Sequence, residues 1–363
     1  MVTFNSSVIA WKGRCHLNAE NCHQQWKPLH NPKLLATRDE HVAKLQRLFD
    51  GTSSECVYTL FGVLGTAAVD PYKEPEAWVE QCLDDLAAQA DLIQDKCVFR
   101  PLAVEYGIYG VHFVDKLFGA DVHQHPESGQ WYSDYLEQPV GGLSYPDLAV
   151  DPTWQLAQRA TNAFVRADVP LPFFGLPTIA SVLNIAVNLY GQDVLEAMVS
   201  DPRSVVHDLA VIGHLLLDLH RWYLQTVPRE QLQPVVSWQR TQPPGFGQIC
   251  GCTTQLISAA MYERYAAPWD ERVLAAYPNG GMIHLCGHHT QHLAVWRSMR
   301  SLRAVQLNDA AAEELAAYFH GLRSDQVIYL NPCAAMTVAD AMKITGGQRL
   351  VIVDDVSKPP PVS

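Results

Sequence analysis

The sequence is short of positive charge: 26 lysines and arginines stand against 38 aspartates and glutamates, a formal charge of −12 over 363 residues. No lysine- or arginine-rich run offsets that balance, so nucleic acid and anionic membrane surfaces are not expected partners. A long uninterrupted apolar run is also missing. The most apolar stretch, residues 171–191, is broken by Pro177, Ser181, Asn184 and Asn188, which suits a buried strand and a buried helix better than a membrane span. Residues 1–15 lack the basic-then-apolar pattern of a secretory signal. The nine cysteines are odd in number and form no dense framework, as expected of free thiols in a reducing cytoplasm. No internal repeat, low-complexity block or glycine-rich phosphate loop appears.

What is present is a globular composition, 48% hydrophobic and 18% charged, with length enough for a full core. Apolar runs that read as strands occupy residues 56–65, 98–105, 170–177, 247–253, 280–286, 303–309, 326–333 and 349–355. Helical spacing lies between most of them. Pro75 opens one helix with Trp78, Cys82 and Leu86 inward, Asp201-Pro202 caps another, and Leu315, Tyr318, Phe319 and Leu322 mark a third. Strand–helix alternation predicts an α/β fold, a parallel (β/α)8 TIM barrel over residues 41–355. Residues 1–40 form an N-terminal extension and 356–363 a proline-rich tail. A polar insertion, residues 121–153, has the length of a lid or binding element. Active sites of such barrels lie at the C-terminal strand ends. The residues placed there are Glu105, Cys252, His284, Cys286, Asp309, Cys333 and Asp354.

Residues 284–287 (His-Leu-Cys-Gly) carry the strongest chemical signal. Side chains at i and i+2 of a strand share a side, so His284 and Cys286 project together, an imidazole–thiolate pair suited to zinc. The plainer reading is two small polar side chains buried at a strand end. Gly287 allows a turn, and Thr290 can cap a helix bearing Leu293, Trp296 and Met299. Cys252 is a second candidate ligand, with Cys250 pointing the same way. Asp309 is a fourth ligand, a base or simply a helix cap. Glu105, Tyr106 and Tyr109 are pocket candidates, although tyrosines at strand ends often only pack. His288, His289 and His292 read by default as surface residues at a helix start, with orientation of substrate or support of a ligand as the alternatives. His214 and His220 read as structural. The Cys15-His16 and Cys22-His23 pairs have nothing at finger spacing to complete a metal site.

Residues 284–287, residues 256–268 (Leu-Ile-Ser-Ala-Ala-Met-Tyr-Glu-Arg-Tyr-Ala-Ala-Pro), residues 344–347 (Ile-Thr-Gly-Gly) and residues 106–121 together resemble the uroporphyrinogen decarboxylase superfamily, over roughly residues 40–355. True decarboxylases of that superfamily use no metal and hold a tetrapyrrole through an Arg-Gln-Ala-Gly-Arg signature. Here the signature is absent and only Arg100 stands nearby, so the chain looks more like the branch of zinc-dependent corrinoid/thiol methyltransferases. That resemblance implies zinc on His284, Cys286 and a later cysteine. The relatives take the later cysteine from the last strand, where this chain has Asp354-Asp355. Cys333, at the end of the seventh strand, is the available thiol and the softer donor. Residues 121–126 lack the glycine of a corrinoid-binding Asp-x-His-x-x-Gly, so a corrinoid donor would arrive on a separate protein. The expected function is zinc-dependent methyl or alkyl transfer to a small-molecule thiol, with Asp309, Glu105 and Tyr106 as catalytic residues. The alternatives are a metal-free decarboxylase or lyase of a small carboxylic acid, using His284 or Asp309 as acid, and a non-catalytic barrel. A homodimer is open to such a chain.

Overall fold

The computed structural model describes residues 25–60, 62–234 and 240–354. The Cys15-His16 and Cys22-His23 pairs, Asp355 and the proline-rich tail lie outside the described residues, as does the side chain of Asp354. Among the described residues twelve strands run in order: β1 Val57–Leu60, β2 Val63–Leu64, β3 Leu102–Glu105, β4 Val122–Gln124, β5 Trp131–Ser133, β6 Phe173–Gly175, β7 Leu232–Gln233, β8 Gly247–Cys250, β9 Gly281–Leu285, β10 Leu302–Leu307, β11 Val327–Leu330 and β12 Leu350–Asp354. Ten of them form two parallel sheets, ordered β1-β12-β11-β10-β9-β8 and β2-β3-β6-β7, and β4 pairs with β5 as a separate antiparallel hairpin. The protein is an α/β fold built on parallel sheets.

The sheets meet where β1 runs into β2, which together are the strand expected at residues 56–65. Thr59 bridges Phe99 in the parallel sense, and Leu60 N–H donates to the Phe99 carbonyl at 2.8 Å. Between β7 and β8 a side-chain amide stands in for a strand ladder. Gln233 Nε2 donates to the Gln242 carbonyl at 2.8 Å, and Gln233 Oε1 accepts from Gln242 N–H at 3.1 Å. Gln242 Nε2 donates in turn to the Gly247 carbonyl of β8 at 2.9 Å. All this is buried, so every backbone group satisfied there avoids the cost of an orphaned donor or acceptor. Strand β7 escaped the sequence reading because two residues, one of them glutamine, leave no period to detect.

Both sheets share one interior. Phe99, Ala103 and Phe173 from the second sheet's side pack with Val57, Met282, Ala304, Val327, Tyr329, Val351 and Val353 of the first. Phe49, from the helix Pro32–Phe49, covers the same cluster against Phe246. The alternation Val351/Val353 and Val327/Tyr329 is the period-two pattern of a strand, and the intervening Ile352 and Ile328 face the helices. Helix starts follow the sequence. Asn31, Asp151, Asp201, Ser258 and Thr337 each accept a backbone N–H of the first turn, and Thr337 Oγ1 also donates to Asp340. Among the described residues no helix is long and apolar enough to cross a membrane.

The insertion is anchored at two points. Its hairpin lays Trp131 against Tyr72 and Tyr109, with ring centroids 6.0 and 5.5 Å apart. Its later part is held by Asp208, whose carboxylate accepts from the N–H groups of Gly141 and Leu143 and from Tyr190 Oη. The insertion therefore rests on the strand-end face instead of hanging free.

Phe173→Ala should cost about 3–5 kcal/mol of unfolding free energy in urea titrations, because the cavity would open between the two sheets. A loss under 1 kcal/mol would refute a shared core. Asp270 gives a second expectation. It is buried with Tyr262 Oη donating to it at 2.8 Å, and burial pushes its pKa from 3.8 up to about 7. The folded chain thus keeps a proton that the unfolded chain gives up, and stability falls as pH rises from about 4 to about 7. Asp270→Asn should be more stable than the wild-type protein at pH 8 and no more stable at pH 3.5. An unchanged pH slope in the variant would contradict the burial argument.

Candidate metal centre

Strands β8 and β9 are paired in parallel with Cys250 opposite His284, and Gly251 N–H extends the ladder to the His284 carbonyl at 2.9 Å. At Gly251 a Cβ would meet Ile283 at 2.7 Å, so glycine lets the chain leave β8 close against β9. Cys252 then opens the 3₁₀ turn Cys252–Leu256. On the neighbouring strand Cys286 follows Leu285, the end of β9. At Gly287 a Cβ would meet the amide end of the exposed Gln255 side chain of the 3₁₀ turn, so the two turns touch there.

The result is a continuous line of donors. Cys250 Sγ lies 3.4 Å from Cys252 Sγ, Cys252 Sγ 3.1 Å from Cys286 Sγ, and Cys286 Sγ 2.9 Å from His284 Nε2. The ligand atoms of Cys250, Cys252 and His284 all fall within 4.8 Å of one another. His284 is buried, and its Nδ1–H donates to Gln306 Oε1 at 2.7 Å. Gln306 sits opposite His284 in the β9–β10 register and donates through Nε2 to Asn331 Oδ1 at 2.6 Å. That relay fixes the tautomer and leaves the Nε2 lone pair facing the thiols. A thiolate and this lone pair are both acceptors, so a shared proton or a cation must stand between them. Two or three soft thiols with a buttressed imidazole form the donor set that zinc prefers.

A cavity of about 290 Å³ opens on the cluster, walled also by Asn184, Asn188 and Arg240. The Arg240 Nε is buried and makes no hydrogen bond among the described residues. Its charge lies near Cys250, Cys252, Cys286 and Glu105, and burial lowers its own pKa. Burial, and then Arg240, drive His284 well below the ordinary imidazole range, so it is neutral. The Cys252 thiol donating to its neighbours holds Cys250 and Cys286 below the usual thiol range, while Cys252 is pushed up by keeping that proton.

The residues expected from sequence end up in different places. His284 and Cys286 are together, with Cys252 and Cys250 beside them. Glu105 ends β3 with its charge reaching Arg240. Asp309 is exposed with φ of 48°, makes no helix-capping bond, and its charge bears on Cys286. Tyr106 is buried, donates to the Pro71 carbonyl at 2.5 Å and packs edge-on to Trp78, which is a packing role. Cys333 lies in the loop after β11, its backbone paired with Met336, and is not among the gathered thiols. What β11 sends toward the centre is Asn331. Of the three following histidines, His288 is on the surface, 3.2 Å from Glu314, whereas His289 and His292 are fully buried, contrary to the surface default. Sequence reasoning missed Gln306, Asn331 and Arg240. A glutamine inside an apolar strand was the one readable sign, and Arg240 lies in a connection with no pattern.

No model of a known protein family matches the chain, and no curated protein matches it. Eighteen chains of solved structures are similar. One is a methyltransferase from Methanosarcina mazei, with a TM-score of 0.61 and 11% sequence identity over 86% of this chain and 92% of that one. At that identity the likeness is one of fold.

Gln306→Leu should weaken metal binding about 10–100-fold, because the imidazole loses the acceptor that sets its tautomer. Chelator competition measures this. Wild-type affinity in the variant would show that the relay is dispensable.

Proposed function

We propose that the chain is a zinc-dependent enzyme that activates a small-molecule thiol for methyl or alkyl transfer. In this reading it is a closed (β/α)8 barrel of the uroporphyrinogen decarboxylase superfamily, on the methyltransferase side. The observation that carries it is the line of three thiols and a Gln306-buttressed imidazole at the C-terminal strand ends, facing a cavity. The superfamily resemblance and the likeness in fold to a methyltransferase support it.

Cys252, His284 and Cys286 are the ligands in this reading, Cys252 standing where Cys333 was expected to serve. Cys250 lies next to Cys252 as a fourth donor. Bound there, zinc supplies a Lewis acid that keeps a substrate thiol ionised near neutral pH. The chain's own residues do the rest. Gln306 and Asn331 orient His284, Asn184 and Asn188 wall the substrate space, and Arg240 offsets the thiolate charge. Asp309 and Glu105 are the carboxylates whose charges reach the centre, and so the candidates to take up the thiol proton. The alkyl donor is taken to be a methylated corrinoid on a separate protein.

A metal-free decarboxylase is the second reading, and Arg240, a buried cation beside the cavity, is what favours it. It takes His284 or Asp309 as its acid, and a histidine held neutral well below its ordinary pKa is a poor one.

The test is metal content followed by turnover. Purified protein should carry about one zinc per chain, strongly reduced in Cys252→Ser and Cys286→Ser and kept in Cys333→Ser. The zinc-loaded protein, with methylcobalamin and a panel of thiols, should give thioether and demethylated corrinoid. Protein that takes up no zinc, or equal zinc in all variants, would overturn the proposal.

A further inference from the structure

Cys286 follows directly on a strand whose ladder fixes it. Cys252 does not: it lies beyond the end of β8, in a 3₁₀ turn that the sheet no longer holds. Yet its sulfur stands 3.1 Å from that of Cys286. Asn184 Oδ1 holds one side of that turn, accepting from Thr253 N–H at 3.0 Å and from the Thr253 hydroxyl, and the buried polar groups around Thr254 hold the other.

Thr254, two residues after Cys252, is buried. Its hydroxyl donates to the Gly251 carbonyl at 2.8 Å, closing the turn on itself. Two histidines take its remaining polar atoms. His289 Nδ1 meets Thr254 Oγ1 at 2.9 Å, and His292 Nε2 donates to the Thr254 carbonyl at 2.9 Å. His289 reaches the other turn as well, since its Nε2 accepts from Gly287 N–H at 3.3 Å, the residue after Cys286. The bonds are mutually consistent. Gly287 donates to Nε2, so Nδ1 carries the proton and donates to a hydroxyl whose own hydrogen is already committed. Both rings are 0% exposed, and His292 packs on Tyr262 and Trp296 with centroids 4.7 and 5.5 Å away. Neither histidine lines the cavity.

We propose that His289 and His292 are positioning residues that clamp the Cys252 turn through Thr254, with His289 tying that turn to the one bearing Cys286. The clamp sets the separation of the two thiols, and so the readiness of the pair to take a metal without first ordering a loop. It rests on the zinc reading for its purpose but not for its geometry. Four residues of the segment 284–292 thus converge on one centre: His284 and Cys286 as ligands, and His289 and His292 as the support of a ligand from another strand.

The experiment uses the full chain with Thr254→Val, His289→Phe and His292→Phe, alongside His292→Gln, which keeps an N–H donor. Thr254→Val nearly conserves volume, so it keeps the test readable should an aromatic replacement unfold the chain. Thermal unfolding of each variant reports the fold. Zinc affinity should fall at least about tenfold in Thr254→Val and His289→Phe. The cobalt(II)-substituted protein should lose one thiolate's share of charge-transfer absorbance, matching Cys252→Ser, with His292→Gln closer to wild type than His292→Phe. A merely structural role would lower thermal stability and leave the spectrum of the folded fraction unchanged.

A second measurement needs no metal. In glutathione buffers two protein thiols are oxidised to a Cys252–Cys286 disulfide as one glutathione disulfide is reduced to two thiols. The effective concentration of this pair should drop at least about tenfold in Thr254→Val. Wild-type protein that binds no zinc would end the functional reading while this measurement still decides the clamp. An unchanged disulfide equilibrium in folded Thr254→Val, or unchanged zinc affinity and cobalt spectrum, overturns it.

Discussion

The hydrogen bond from His284 Nδ1–H to Gln306 Oε1 is the constraint on which the centre depends. It exists because β9 and β10 are in parallel register with these two residues opposite each other. A one-residue slip of either strand would turn its side chain to the opposite face of the sheet and part the pair. With the register fixed, the lone pair of Nε2 can only face the strand ends, and Cys286, two residues on, meets it there. The β8–β9 register then brings Cys250 opposite His284, and Cys252 follows around the turn. Three of the four donor atoms thus derive their positions from two strand pairings and one buried amide, and Cys252 from the turn beyond β8.

Charge follows from the same placement. Thiols, a neutral imidazole, Arg240 and Glu105 are brought together with little water to screen them, so their charges act strongly on one another. Arg240 favours the thiolates and disfavours protonation of His284. The centre is thereby biased toward the protonation states that hold a cation. The insertion is anchored by Asp208 and by the Tyr72–Tyr109–Trp131 contact. Tyr109 takes a left-handed backbone at φ of 57°, a cost that surrounding packing must meet.

The sequence by itself determined the α/β class, because strand–helix alternation and capping residues are local signals and each is written within a few positions. It also determined His284 and Cys286, since a period of two is enough to put neighbours in one strand on one side. Only the tertiary structure decided which other thiols join them. Cys252 and Cys333 are both cysteines near strand ends, and no local pattern tells which turn curls toward β9. Gln306 and Asn331 owe their roles to registers between strands, Arg240 to a connection without a period, and His289 and His292 to burial beneath a turn 35 and 38 residues earlier in the chain. Tyr106 shows the converse: a strand-end tyrosine looks the same in sequence whether it faces a substrate or, as here, a backbone carbonyl in the core. Periodicity fixes which side of its own strand a residue takes; which neighbours it meets there depends on contacts between segments distant in the chain, and those form only when the sheets pack.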